Sequence, residues 1–212
     1  MPTSPHEEVT NSPETLIKKV HSVGSIWAST PTRIIETLVQ IKYYVNHFEK
    51  RIFMDYTATV ITVSDLGSQG KRIDSSGPSV CKMIEDAGFH VVHTAIIPDE
   101  QAEIQKMLIY CADELHANLI LTTGGTGLSP RDVTPEATLA VLDREIRAIP
   151  VAMWVGSLKV TPRAMLSRAV AGTRGKSLII NLPGSEKAAK ENLSAIIGAL
   201  EHAMHMISAE GH

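Results

Sequence analysis

Apolar and polar positions follow two different rhythms along this chain, and the change of rhythm marks its parts. Ile34, Ile35, Leu38, Ile41, Val45 and Phe48 recur at three- and four-residue spacing, with Arg33, Glu36, Gln40, Lys42 and Glu49 between them. That spacing predicts an amphipathic helix with Thr30 as N-cap and Pro31 in its first turn. From Tyr56 the rhythm changes. Thr57 to Val63 is apolar and β-branched with little polar alternation, as in a strand covered on both faces. Residues 67–76 then read as a loop, and Pro78 opens a helix that Gly88 closes. Val91 to Ile97 predicts a second strand, and Asp99 is placed to cap a helix running to about Leu115. Asn118 to Thr122 predicts a third strand, and Thr134-Pro135 starts another helix. Pro150 and Pro162 break residues 147–172 into one or two short helices. A fourth strand spans Ser177 to Leu182. The last helix buries Ala188, Leu193, Ile196, Ile197, Leu200, Ala203 and Met204.

Strands alternating with helices predict an α/β fold: a mostly parallel sheet with helices on both faces, plus an N-terminal helical extension. Two regions follow. Residues 1–55 form the extension, of which 1–14 are polar and Pro-rich and expected to be disordered; residues 56–212 form the main domain. The stripe around Ile34 to Phe48 needs a cover, for which packing within the chain or its oligomer is the simplest source.

Composition narrows the function. The 212 residues are 43% hydrophobic but only 4% aromatic, so the core is expected to be aliphatic. A net charge of -3 argues against a general nucleic-acid binder. No apolar run is long enough to span a bilayer, and the N-terminus lacks a secretory pattern, so the expected location is the cytoplasm, away from membranes. Cys81 and Cys111 read as buried free thiols. His90 with His93, and His202 with His205, lack a third ligand nearby in sequence and are expected to be solvated rather than zinc-bound. Met153, Met165, Met204 and Met206 read as core filler. No Ser-His-Asp arrangement or nucleophile elbow supports acyl hydrolysis.

The candidate chemistry lies at strand ends, where open α/β sheets bind ligands. Ser64-Asp65 follows the first strand, Pro98-Asp99-Glu100 the second, Thr123 to Asp132 the third and Asn181 to Ser185 the fourth. Each piece alone has a plain structural explanation. Asp99 can be a helix cap, Asp65 a strand-ending turn, Asp132 a partner of Arg131, and Gly124-Gly125-Thr126-Gly127 a structural turn. Their coincidence on one sheet edge points further. A glycine-rich turn admits an anion close to the backbone, and carboxylates beside it suit Mg²⁺ carrying a nucleotide triphosphate. The pattern is neither a Walker A loop nor a dinucleotide fingerprint.

The run from Thr122 to Thr138, TTGGTGLSPRDVTPEAT, resembles the signature of the molybdopterin adenylyltransferase family, which includes the bacterial MogA/MoaB-type proteins and the G domains of gephyrin and plant Cnx. Val63-Ser64-Asp65, Asp74 to Pro78, Ile97 to Glu100, Met165 to Arg168 and Ile180 to Ser185 match in order, so the resemblance covers roughly Tyr56 to Ile207. Leu66 departs from it, standing where many members have Arg or another polar residue, and residues 67–73 differ as well.

The resemblance implies a homotrimer that binds molybdopterin and Mg-ATP, transfers AMP to the pterin's terminal phosphate and releases pyrophosphate. The product would pass to a separate molybdate-inserting enzyme. Position by position, Asp99 and Asp132 match the acidic pair used for metal-assisted catalysis. Gly124, Gly125, Thr126 and Gly127 match the nucleotide-phosphate loop. Ser64, Asp65, Ser167, Asn181, Pro183, Gly184 and Ser185 match positions lining the nucleotide and pterin sites, and Thr134 and Glu136 fall within the signature. The alternative is a non-catalytic molybdopterin-binding or carrier protein of the same fold. The acidic pair favours the enzyme, because binding a pterin alone does not need both carboxylates.

Overall fold

An unbroken β-branched run has no polar side to offer water, and the first strand, β1 (Thr57–Val63), is accordingly buried along nearly all its length. It lies between β2 (His90–Ile97) and β3 (Leu119–Thr123), parallel to both, and β6 (Ser177–Leu182) continues the parallel sheet beside β3. In this computed structural model residues 56–208 are described. The expected extension over residues 1–55, with its disordered start and amphipathic helix, lies outside the described residues. Two strands that the apolar pattern does not predict, β4 (Arg144–Glu145) and β5 (Ala171–Arg174), add antiparallel, giving the order β2-β1-β3-β6-β5-β4. Gly175 and Lys176 form the two-residue turn joining β5 to β6, with Gly175 at φ 53° as a tight hairpin requires.

Helices cover both faces. On one side α2 (Ser76–Asp86), α5 (Ala148–Leu158) and α6 (Glu186–Ser208) enclose Val60, Leu121, Ile180, Val80, Met153 and Leu193. On the other, α3 (Gln101–Ile109), a π-helical turn (Tyr110–Glu114) and α4 (Thr134–Leu139) enclose Ile61, Ile120, Ile179, Leu108 and Ala137. A short α1 (Asp65–Ser68) follows β1 directly, capped by the Ser64 hydroxyl, which accepts from Gly67 N–H at 3.0 Å.

Several local expectations shift. α2 begins at Ser76, two residues before Pro78, because the Asp74 carboxylate caps it. Pro150 sits in the first turn of α5, where its missing N–H costs no helical bond, so it opens that helix rather than breaking it. The N-cap of α3 is Glu100, not Asp99. Met153 and Met204 are core residues, but Met165 and Met206 are exposed. Cys111 is buried and Cys81 half-buried; both are free. No helix among the described residues is long and apolar enough to cross a membrane.

The order of the strands positions the site. From β1 the chain steps outward to β2, then crosses back to place β3 on the opposite side of β1. The loops leaving β1 and β3 therefore diverge at their carboxyl ends, and a crevice opens between them.

Candidate active site

That crevice is a cleft of about 300 Å³. Ser64 reaches it from the end of β1, Asp99 from β2, and Gly124, Gly125 and Asp132 from the loop after β3. Gly184 and Ser185 enter from the turn after β6. The four junctions expected to share one edge do meet in one concavity.

The glycine-rich turn is built by close approach. Gly124 has φ 111° and Gly125 φ 62°. A Cβ on Gly124 would run into the Val63 carbonyl; one on Gly125 would strike Thr134 Oγ1 and lie 3.0 Å from Asp99 Oδ1. Only glycine meets both demands. The Gly124 N–H donates to Leu182 O at 3.1 Å, so it holds the sheet edge and is not available to an anion. Thr134 N–H donates to Gly125 O at 3.1 Å, tying the turn to the start of α4.

Asp99 and Asp65 clasp each other's backbone. Asp65 N–H donates to Asp99 Oδ2 at 2.8 Å, and Asp99 N–H donates to Asp65 Oδ1 at 3.0 Å. This explains why Asp99 does not cap α3: its carboxylate is turned across to β1's loop. Arg131 forks onto Asp65, Nε to Oδ2 at 3.1 Å and Nη2 to Oδ1 at 3.0 Å, and also reaches Glu100 at 2.8 Å. The Arg131 hydrogen bond, helped by the Asp99 N–H, holds the Asp65 carboxyl below the usual carboxylate range. Asp99 goes the other way. Burial raises it most; the Asp65 N–H opposes this, and the neighbouring Asp65 and Asp132 carboxylates push it up further.

Asp132 does not pair with its neighbour Arg131. Its Oδ2 accepts from Ser129 N–H at 2.8 Å. Arg168 braces the same loop from outside. Its Nε donates to Gly127 O at 2.7 Å, and its terminal nitrogens bond Glu136 and the Asp132 carbonyl.

Several expected ligand contacts lie outside the cleft lining. Asn181 is fully buried: its amide nitrogen donates to Thr122 and Thr138 hydroxyls, both at 2.9 Å, and its oxygen accepts from Val170 N–H at 3.2 Å. Every polar atom of the side chain is bonded within the protein, where it ties β6 to α4. Thr126 is buried, and its carbonyl accepts from Arg168 N–H. Gly127 and Glu136 serve the Arg168 brace, Pro183 accepts from the Thr123 hydroxyl at 2.9 Å, and Ser167 Oγ accepts from Ala169 N–H at 3.3 Å. Thr134 is fully buried, with its hydroxyl unpartnered beneath Gly125.

The opposite wall holds none of the residues named above as ligand contacts, although residues 67–73 read as a loop that could touch substrate and Asp74 to Pro78 match the family pattern. Arg72, Ile73, Asp74, Ser75 and Ser76 all line the cleft. Asp74 is its anchor: Oδ1 accepts from Ser76 N–H and Gly77 N–H, both at 3.0 Å, and Oδ2 from the Thr62 hydroxyl at 2.5 Å. Burial opposes its ionisation, but these bonds together outweigh it and hold the Asp74 carboxyl low. The signal in the sequence is an Asp two residues before Ser76, able to cap a helix that starts ahead of Pro78.

Among the described residues no cluster of three or more His, Cys, Asp or Glu side chains could hold a metal by itself. The donor set at the cleft is two neighbouring carboxylates, Asp99 and Asp132. That suits Mg²⁺, which takes one or two carboxylates and completes its shell with phosphate oxygens and water.

A family model described as "Probable molybdopterin binding domain" matches residues 59–202. The chain is 43% identical over 166 residues to gephyrin of Dictyostelium discoideum, covering 74% of this chain and 23% of that protein. It is thus similar to less than a quarter of that relative's length. It is 46% identical over 140 residues to the molybdopterin adenylyltransferase of Haemophilus influenzae, covering 65% of this chain and 71% of the relative. Its fold is similar to the crystal structure of the molybdopterin biosynthesis enzyme MoaB from Thermus thermophilus, with a TM-score of 0.69 and 44% identity over 72% of this chain and 96% of that one.

Proposed function

This chain belongs to the molybdopterin-binding domain family, and from that premise we propose that it works in molybdenum cofactor biosynthesis as a molybdopterin adenylyltransferase. The observation that carries this reading is the meeting of Asp99 and Asp132 beside the Gly124-Gly125 turn in one cleft. In the proposed reaction an oxygen of the pterin's terminal phosphate attacks the α-phosphorus of ATP. The bond from that phosphorus to the bridging oxygen breaks, and pyrophosphate leaves with its electron pair. The attacking phosphate is already ionised near neutral pH, so no general base is needed and no histidine need face the cleft. Mg²⁺ held by Asp99 and Asp132 would supply the positive field for the triphosphate.

The rest of the work falls to the chain. The Asp65–Arg131–Glu100 cluster fixes the backbone of Asp99, and Arg168 fixes the loop that carries Asp132. Catalysis by positioning needs that stiffness, since the two phosphates must be held in line. Assembly into a homotrimer and hand-over of the product to a molybdate-inserting enzyme belong to the same reading. An uncovered apolar face supports the former: Val151, Val155 and Leu158 of α5 and nearby Leu166 are all exposed.

The test is pyrophosphate release by the purified chain given molybdopterin, ATP and Mg²⁺. Turnover dependent on all three is expected. Uptake of molybdopterin with no pyrophosphate formed would make the protein a pterin carrier instead.

A further inference from the structure

The cleft is the wrong sign for its cargo. Asp74, Asp99 and Asp132 line it against a single cation, Arg72. A metal ion would answer this on one wall, where Asp99 and Asp132 lie close enough to repel. It does not answer it on the other wall, where Asp74 is saturated by Thr62, Ser76 and Gly77. The other two arginines near this edge are already committed. Arg131 is held by Asp65 and Glu100, and Arg168 by Glu136 and two carbonyls. Among the described residues Arg72 has no ion-pair partner, and it is exposed at the rim. Its neighbour Ile73 is 92% exposed, an apolar side chain at the cleft that packs on nothing among the described residues.

A guanidinium beside an uncovered apolar side chain matches a specific kind of ligand: a phosphate monoester attached to an organic ring, arriving without a metal. We propose that Arg72 binds the terminal phosphate of the acceptor substrate, with Ile73 against its organic part, and that the metal-borne triphosphate occupies the Asp99–Asp132 wall. This rests on the adenylyl-transfer reading for the identity of the acceptor. The assignment gives each anion its own source of positive charge, so the two phosphates approach from opposite walls without competing for one cation.

The experiment is calorimetric binding to the full 212-residue chain, comparing wild type with Arg72→Glu and Arg72→Lys. One probe is molybdopterin in metal-free buffer; the other is a non-hydrolysable ATP analogue with Mg²⁺. Arg72→Glu is expected to weaken molybdopterin by about tenfold or more, the scale of one charge-assisted bond. The nucleotide analogue should change by less than about twofold, and Arg72→Lys should retain most of the pterin affinity because charge without the fork still attracts phosphate. A loss confined to the nucleotide analogue, or no loss with either probe, overturns the assignment. Wild type that binds both probes but releases no pyrophosphate defeats the transfer reaction and leaves the Arg72 assignment standing on the binding data.

Discussion

The two walls of the cleft are built by different means. The Asp99–Asp132 wall is made of two loops, leaving β2 and β3, tied by glycines at positive φ and by carboxylate-to-backbone bonds across chain segments. The Arg72–Ser76 wall comes from one segment between α1 and α2, held chiefly through the single carboxylate of Asp74. Rigidity is needed where carboxylates of like charge must stay together, and the raised pKa of Asp99 records its burial first and then the repulsion of Asp65 and Asp132. A wall that receives a ligand by one exposed arginine can be anchored at its base and free at its tip.

The strongest way to sharpen this contrast is to remove a carboxylate from the stiff wall. Asp132→Ala or Asp99→Ala should lower pyrophosphate release by about 10²–10³-fold, the range seen when one preorganised electrostatic group is lost. The melting temperature should stay near wild type for Asp132→Ala, whose carboxylate bonds only a neighbouring loop N–H. Near-normal turnover in both variants would remove the pair from the mechanism.

Next in size is the turn between them. Gly125→Ala forces a Cβ against Thr134 Oγ1 and toward Asp99 at a backbone angle that alanine resists. A destabilisation of about 1–3 kcal/mol is expected in denaturant melts. The displaced turn should cost up to about a hundredfold in turnover, since shifts near 1 Å are enough for that. The same substitution at Gly70, with φ 69° but open space around it, should cost stability without touching turnover. Equal effects at both would mean that the Gly124-Gly125 turn positions nothing.

A smaller effect separates the charges. Arg131→Met removes the main cause of Asp65's lowered pKa and one of the opposing influences on Asp99. Both carboxyls should therefore titrate at higher pH, as followed by carboxyl ¹³C NMR. In the proposed role of Asp99 the metal is held by its ionised carboxylate, so activity is expected to fall as pH drops through its raised pKa. In Arg131→Met that acid limb should move to higher pH, whereas at pH 8 the rates should converge. A limb that stays put would show that Asp99 does not govern it.

The two walls were also unequally legible in the sequence. Asp99 and Asp132 announce themselves because each lies in a loop between a strand and the helix after it, so topology alone carries both to the carboxyl edge. Arg72 and Asp74 sit in a stretch with no periodicity, and only the true start of α2 brings them to the cleft. The parallel strands were readable from their apolar runs. β5, with the sequence AGTR, has no such run and exists because the Gly175-Lys176 turn folds it back on β6. Asn181 shows a different ambiguity: a polar residue at a strand end looks the same in sequence whether it faces a ligand or, as in this fold, bonds two threonine hydroxyls beneath α4.

Thr134 poses that question most sharply, and its test is the gentlest. Its hydroxyl is fully buried, unpartnered, and packed beneath Gly125 on the stiff wall. A buried hydroxyl with no partner is a liability, so the isosteric Thr134→Val should leave stability unchanged or raise it by about 1 kcal/mol. If the threonine is only a wedge under the turn, turnover should follow stability and stay at wild-type level, because valine keeps the shape. If the hydroxyl bonds the turn or Asp99 once a ligand is seated, turnover should fall several-fold while the apo protein gains stability. Thermal melts and pyrophosphate release on the same preparation distinguish the two. Opposite movement of stability and activity would place Thr134 among the residues that act only when the cleft is filled.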